Sequence, residues 1–114
     1  MLPSNMRLRK RNELAAVYRG GRAVGGDLLL LKYKPNGQAV TRFAFSVPRK
    51  VGKAVVRNRW RRRLREVLRE SAANVAPGYD VVIAVNPRAG DGEAVGYRDL
   101  AGEMKRLLKR AGLC

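Results

Sequence analysis

Cleaving a phosphodiester requires a nucleophile with its base, or carboxylates gathered around a metal ion, and this chain is poor in both. It has no His, and its one Cys is Cys114, so neither a zinc cluster nor an intrachain disulfide can form. Glu66 and Glu70 stand at i, i+4, but Arg62, Arg63 and Arg69 surround them, and the spacing reads as ion pairing rather than metal ligation. No metal or cofactor site is expected on the protein. What the chain does carry is cationic: 25 Lys plus Arg against 9 Asp plus Glu, a formal net charge of +16. Arg outnumbers Lys 18 to 7, a choice that favours forked contacts to phosphate and stacking on bases.

The charge has an address. Residues 70–114 hold six bases and six acids, whereas residues 1–69 hold 19 bases against Glu13, Asp27 and Glu66. Ten of those bases fall between Arg49 and Arg69. A solvated helix face normally mixes signs to gain i, i+4 pairs, but the run Arg57-Asn58-Arg59-Trp60-Arg61-Arg62-Arg63-Leu64-Arg65 repels itself until Glu66. Such a surface calls for a polyanion, and nucleic acid is the partner it fits. No apolar run approaches the ~18 residues of a membrane span, and none follows the basic start. The reading is a cytoplasmic protein with no membrane and no small-molecule substrate.

The elements that must position these residues follow from periodicity. Leu14, Val17 and Tyr18 recur at helical spacing between Asn12, a candidate N-cap, and Gly20-Gly21. Tyr18, at the edge of that narrow stripe, could close the helix on the core or stack on a nucleotide. Leu28 to Leu31, within 27–34, reads as a strand buried on both faces and joined through Pro35-Asn36-Gly37 to a partner over 40–47. In the partner Phe43, Phe45 and Val47 alternate with Arg42, Ala44 and Ser46. Val55-Val56 is a candidate third strand before a helix over about 57–74. Trp60, Leu64, Val67, Leu68 and Ser71 share one side of that helix, and Asn58, Arg62, Arg65 and Arg69 the other. Trp60 therefore reads as a core anchor. Residues 79–85 predict another doubly buried strand, and Tyr97 to Ala111 a closing amphipathic helix. With 114 residues, a length that buries roughly two thirds of the unfolded chain's surface, one domain is expected over 1–114, its first ten residues a flexible basic segment. The fold class is α/β, an α+β sandwich in which a mixed four-stranded sheet packs with three helices in the order α-β-β-β-α-β-α.

The segment from Ser46 to Glu66, SVPRKVGKAVVRNRWRRRLRE, resembles the signature of the bacterial ribonuclease P protein subunit, the protein partner of a catalytic RNA. Leu8-Arg9-Lys10 with the following helix, the Gly78 to Ile83 strand and the closing helix fall where that family has them, so nearly the whole chain is covered. The resemblance implies a left-handed βαβ crossover, against the usual right-handed rule. It also implies an endoribonuclease that removes the 5′ leader of precursor tRNA, with Mg²⁺ needed by the ribonucleoprotein and the catalytic centre in the RNA, so that no protein residue is catalytic. The implied partners are the ribonuclease P RNA and the precursor tRNA. RNA contact then maps to Lys50, Lys53, Arg57, Asn58, Arg59, Arg61, Arg62 and Arg65, with Arg69 on the same helix face. A cleft for the single-stranded leader would use Leu14, Tyr18, Lys32, Arg42 and Ser46. Where the family commonly has Phe, this chain has Leu14, which makes Tyr18 the better stacking candidate. The alternative is a ribosomal-type protein or general RNA chaperone, which explains the charge but not the ordered motif.

Overall fold

Each strand offers apolar residues to at least one face, and the sheet they build takes helices on both. The computed structural model describes residues 4–114. Helix α1, Arg11–Gly20, is followed by strands β1, Arg22–Gly25, β2, Leu29–Pro35, and β3, Arg42–Ser46. Helix α2, Ala54–Ser71, strand β4, Tyr79–Val85, and helix α3, Tyr97–Arg110, complete the order. The sheet runs β1-β2-β4-β3, antiparallel except for the β3–β4 pair. Thus β3, α2 and β4 form the parallel βαβ unit.

The two faces separate cleanly. Leu29 and Leu31 of β2, Val81, Ile83 and Val85 of β4, and Phe43 of β3 pack with Trp60, Leu64, Val67 and Leu68 of α2 and Leu100, Met104, Leu107 and Leu108 of α3, all buried in one core. The alternate residues face α1, where Val82 packs with Val17 and Leu8 in a smaller cluster joined by Leu14 and Ala44. Because α1 is short it leaves part of this second face open, and Leu30, expected to be doubly buried, is only partly so.

Three expectations are corrected. The turn at Pro35-Asn36-Gly37 does not make a β2–β3 hairpin, because β4 lies between them. Val81-Val82-Ile83 is apolar on both faces and takes the inner position, where it is covered from both sides and paired along both edges. Val55-Val56 is no strand: Val56 begins the stripe that continues at i+4 and i+8 through Trp60 and Leu64, and both valines lie in the first turns of α2. The third strand is instead β1, four residues with no alternation, held by pairing with β2. Its turn into β2 is fixed by the buried Glu103 carboxylate, which accepts the backbone N–H groups of Asp27, Leu28 and Leu29 at 3.1, 2.8 and 2.6 Å. Finally, α1 begins before Asn12, whose side chain is not its cap. Part of the basic segment lies along the sheet: Arg7 bridges to Phe43, and the Leu8 N–H donates to the Phe43 carbonyl at 2.8 Å. Residues 1–3 of that segment lie outside the described residues.

Candidate RNA-binding surface

The arginine tract becomes a surface because α2 is amphipathic in an extreme form. Trp60, Leu64, Val67, Leu68 and Ser71 are buried, as their spacing predicts, which leaves Asn58, Arg62, Arg65 and Arg69 exposed on the opposite side. Arg62, Arg65, Glu66 and Arg69 line a shallow hollow of about 290 Å³. Lys50 and Lys53, both exposed, extend the surface beyond the helix N-terminus, where no first-turn residue is acidic and Lys53 gives no side-chain cap. First-turn amides and these two lysines thus point one sign of charge outward. Arg57, Arg59 and Arg61 are partly buried. Arg61 donates to the Asn58 side-chain oxygen at 3.2 Å, Arg59 lies 4.0 Å from Glu93, and the Arg57 Nε is enclosed without a hydrogen-bond partner. Sequence reasoning missed Val55, an apolar side chain 69% exposed in the middle of this cationic surface. The i, i+4 pairing expected of Glu66 and Glu70 with neighbouring arginines does not form, the ion pairs among the described residues being those of Arg42 and Arg59. Glu70 instead accepts from the Tyr97 hydroxyl, which is held above its ordinary pKa by that bond first and by desolvation second.

The five residues assigned to a leader cleft do not all meet. Tyr18, Lys32 and Ser46 line an open, mostly apolar cavity of about 370 Å³ at the end of the sheet that α1 leaves bare, with Leu30, Pro48, Asn86 and Pro87 among its other walls. Tyr18 is 44% exposed, which decides against a core role, and Lys32 Nζ sits 4.8 Å from its ring centroid. The Asn86-Pro87 wall carried no signal beyond turn chemistry. Leu14 lines a second cavity of about 270 Å³, with Leu8, Phe43 and Phe45 for its apolar surface and Arg7, Arg9 and Arg65 around it, so Arg65 borders both α2's hollow and the α1 side of the sheet. Arg42 belongs to neither. Its Nε and Nη2 fork onto the nearly buried Asp80 carboxylate at 2.9 and 2.8 Å, and Nη2 also meets Glu13 at 2.9 Å, tying α1 to β3 and β4. These bonds, that to Asp80 foremost, hold the guanidinium pKa above its usual value.

The β3-α2-β4 unit of this chain pairs its strands in parallel, carries arginines on the outer face of its helix and leaves an open cleft on the other face of the sheet. The sequence profile of the family described as Ribonuclease P matches residues 2–112. The chain belongs to the ribonuclease P protein family. It is 36% identical over 107 residues to the ribonuclease P protein component of Caldanaerobacter subterraneus subsp. tengcongensis, covering 94% of this chain and 90% of that one. Against the component from Streptomyces avermitilis it is 39% identical over 118 residues, covering 95% and 96%. The fold is similar to that of the RNase P protein from Thermotoga maritima, solved in complex with 1-(4-fluorophenyl)-2-thiourea, with a TM-score of 0.84 at 28% identity over 91% of this chain and 98% of that chain. It also matches the fold of a Staphylococcus aureus RNase P protein mutant, TM-score 0.85 at 21% identity, over 96% and 91%. Within this family the arginine face and the cleft become candidate RNA surfaces.

Proposed function

We propose that this chain is the RNA-binding protein subunit of ribonuclease P, and that it uses two surfaces: α2 with Lys50 and Lys53 for the RNA subunit, and the Tyr18–Lys32–Ser46 cleft for the 5′ leader of precursor tRNA. Family membership carries the subunit role, an endoribonuclease acting in tRNA maturation with an RNA partner. The observation that supports the division of labour is the acid-poor outer face of α2, where Arg62, Arg65 and Arg69 stand exposed with only Glu66 among them. Exposed guanidinium groups with no acid partner suit phosphate oxygens, which accept forked hydrogen bonds.

The chemistry that such a protein can contribute is binding. Among the described residues no three of the His, Cys, Asp or Glu side chains come together, and the chain holds no His to serve as a general base. The reading therefore leaves cleavage to the RNA, with Mg²⁺ required by the ribonucleoprotein and not held by the protein. Binding two RNA segments on one small body favours the precursor over the product, because only the precursor has a leader to fill the cleft. Among the described residues no helix is long and apolar enough to cross a membrane. A partner RNA in the cytoplasm would place the chain there. The test is precursor-tRNA cleavage at low Mg²⁺ with protein alone, RNA alone and both. Efficient cleavage by the combination only is the expected result. Equal stimulation by an unrelated basic protein would favour a general RNA chaperone, and robust cleavage by purified protein alone would sink the reading.

A further inference from the structure

We infer that Arg63 is a positioning residue for leader recognition, one that holds the loop walling the cleft without touching RNA itself. This inference rests on the cleft reading proposed above. Seven arginines lie on α2, and Arg63 is the one whose guanidinium is turned onto backbone carbonyls of loop 86–96. Its Nη1 donates to the Gly92 carbonyl at 3.0 Å and its Nη2 to that of Val95. One turn earlier the buried Trp60 donates from Nε1 to the Gly90 carbonyl at 2.9 Å, and the Arg63 guanidinium lies 5.2 Å from the Trp60 ring centroid. A single turn of the helix thus grips three carbonyls of one loop, and grips them closely. Gly92 has φ +75°, and a Cβ there would lie 2.5 Å from Trp60 Cζ2 and 2.9 Å from Arg63 Nη1.

The near end of the same loop forms the cleft. Asn86 and Pro87 line the cavity, and the 3-10 turn Pro87–Ala89 packs on the turn Arg49–Val51, which follows the opposite wall at Pro48. Loop 86–96 therefore runs from the leader cavity to the buried side of the RNA-facing helix, and its far half is fixed to that helix by side chains of Trp60 and Arg63. A lysine could reach one of these carbonyls but cannot fork between two. Removing the fork would free the far half of the loop and loosen the wall it continues into.

The experiment compares holoenzymes carrying Arg63→Met, which keeps the aliphatic stem, and Arg63→Lys, which keeps the charge. Four quantities are read: affinity for precursor and for mature tRNA, affinity of the protein for ribonuclease P RNA across a salt series, thermal unfolding, and amide exchange over 87–96. The precursor is expected to bind Arg63→Met roughly three- to tenfold more weakly, with mature tRNA unaffected, since about one net hydrogen bond's worth of order is lost at the wall. Exchange over 90–96 should accelerate, and Arg63→Lys should recover part of the loss. The slope of RNA affinity against salt should stay as in the parent, because no phosphate contact is removed. A slope smaller by about one for Arg63→Met would make Arg63 a phosphate contact and overturn the inference. Should Arg63→Met unfold, Arg63→Gln, which likewise removes the charge, gives the same readout. Tyr18→Ala serves as the reference: if it loses leader preference while both Arg63 variants keep it, the positioning role is wrong and the cleft stands. If Tyr18→Ala also keeps that preference, the cleft reading falls and this inference with it.

Discussion

Arg42 and Arg62 are both on the basic half of the chain, yet the structure gives them opposite tasks. Arg42 uses its donors inside the protein, forked on Asp80 and bridged to Glu13, and both its side chain and that of Asp80 are largely buried. Arg62 is exposed in a hollow bordered by two further arginines and a single glutamate. Charge counting cannot separate the two. What separates them is whether the protein itself places acceptors within hydrogen-bond reach of the guanidinium, since an arginine without them keeps its donors for a ligand. Ten bases between Arg49 and Arg69 contain both kinds, because Arg63 is internally satisfied as Arg42 is.

The largest expected effect belongs to the exposed class as a whole. If α2 and its flanks neutralise six to ten phosphates, affinity for ribonuclease P RNA should fall by roughly 10³ to 10⁵ between 50 and 200 mM salt. A shallow salt response, read by filter binding or calorimetry, would place the charge away from the interface. The next largest effect should fall on stability and separate Arg42 from Arg62. Arg42→Met removes the cation from the nearly buried Asp80 carboxylate, leaving it the Asn36 amide as a side-chain donor, and is expected to cost about 2 to 3 kcal/mol of folding free energy, measured by chemical denaturation. Arg62→Ala or Arg65→Ala should leave stability within about 0.5 kcal/mol while weakening RNA binding by about 1 to 3 kcal/mol each. Unfolding of Arg62→Ala, or full stability of Arg42→Met, would erase the distinction.

The same comparison explains what the sequence could say. The faces of α2 were legible because helical periodicity is local: Trp60, Leu64, Val67, Leu68 and Ser71 are buried where 100° per residue puts them. The internal pairing of Arg42 was not legible for a non-local reason. Its partner Asp80 lies 38 residues away and reaches it only because β4 pairs in parallel with β3, which the expected β2–β3 hairpin did not allow. Strand β1 was invisible because Arg22-Ala23-Val24-Gly25 has no alternating pattern and is defined by its neighbour's backbone. The family resemblance implies one cleft for Leu14 and Tyr18, one turn apart, whereas in the structure Leu14 leans into the small cluster with Leu8 and Val17 and borders a different cavity. Sequence spacing put both on one helix stripe. Only the extent of the sheet beneath α1 decides which of them overhangs open space.

That separation between Leu14 and Tyr18 supplies the smallest and most selective test. Tyr18 is 44% exposed and borders the open cavity, so Tyr18→Ala removes little packing and should barely shift the unfolding temperature. It does remove a ring on which a base can stack, a contact of about 1 to 3 kcal/mol that exists only when a leader base is present. The variant holoenzyme should therefore bind precursor tRNA more weakly and mature tRNA as before. Lys32, whose amino group lies 4.8 Å from the ring centroid, sharpens the point. If the cation and a leader base share the Tyr18 ring on opposite sides, Lys32→Met should reduce leader-dependent affinity by less than Tyr18→Ala, and the double variant should lose less than the two single losses added together. Leu14→Ala, by contrast, opens space beside Leu8 and Val82 and should lower stability first, weakening precursor and mature tRNA to the same extent. Measuring both ligands with all four variants decides the matter: a leader-specific defect in Leu14→Ala equal to that of Tyr18→Ala would join the two cavities into one binding surface and undo the separation.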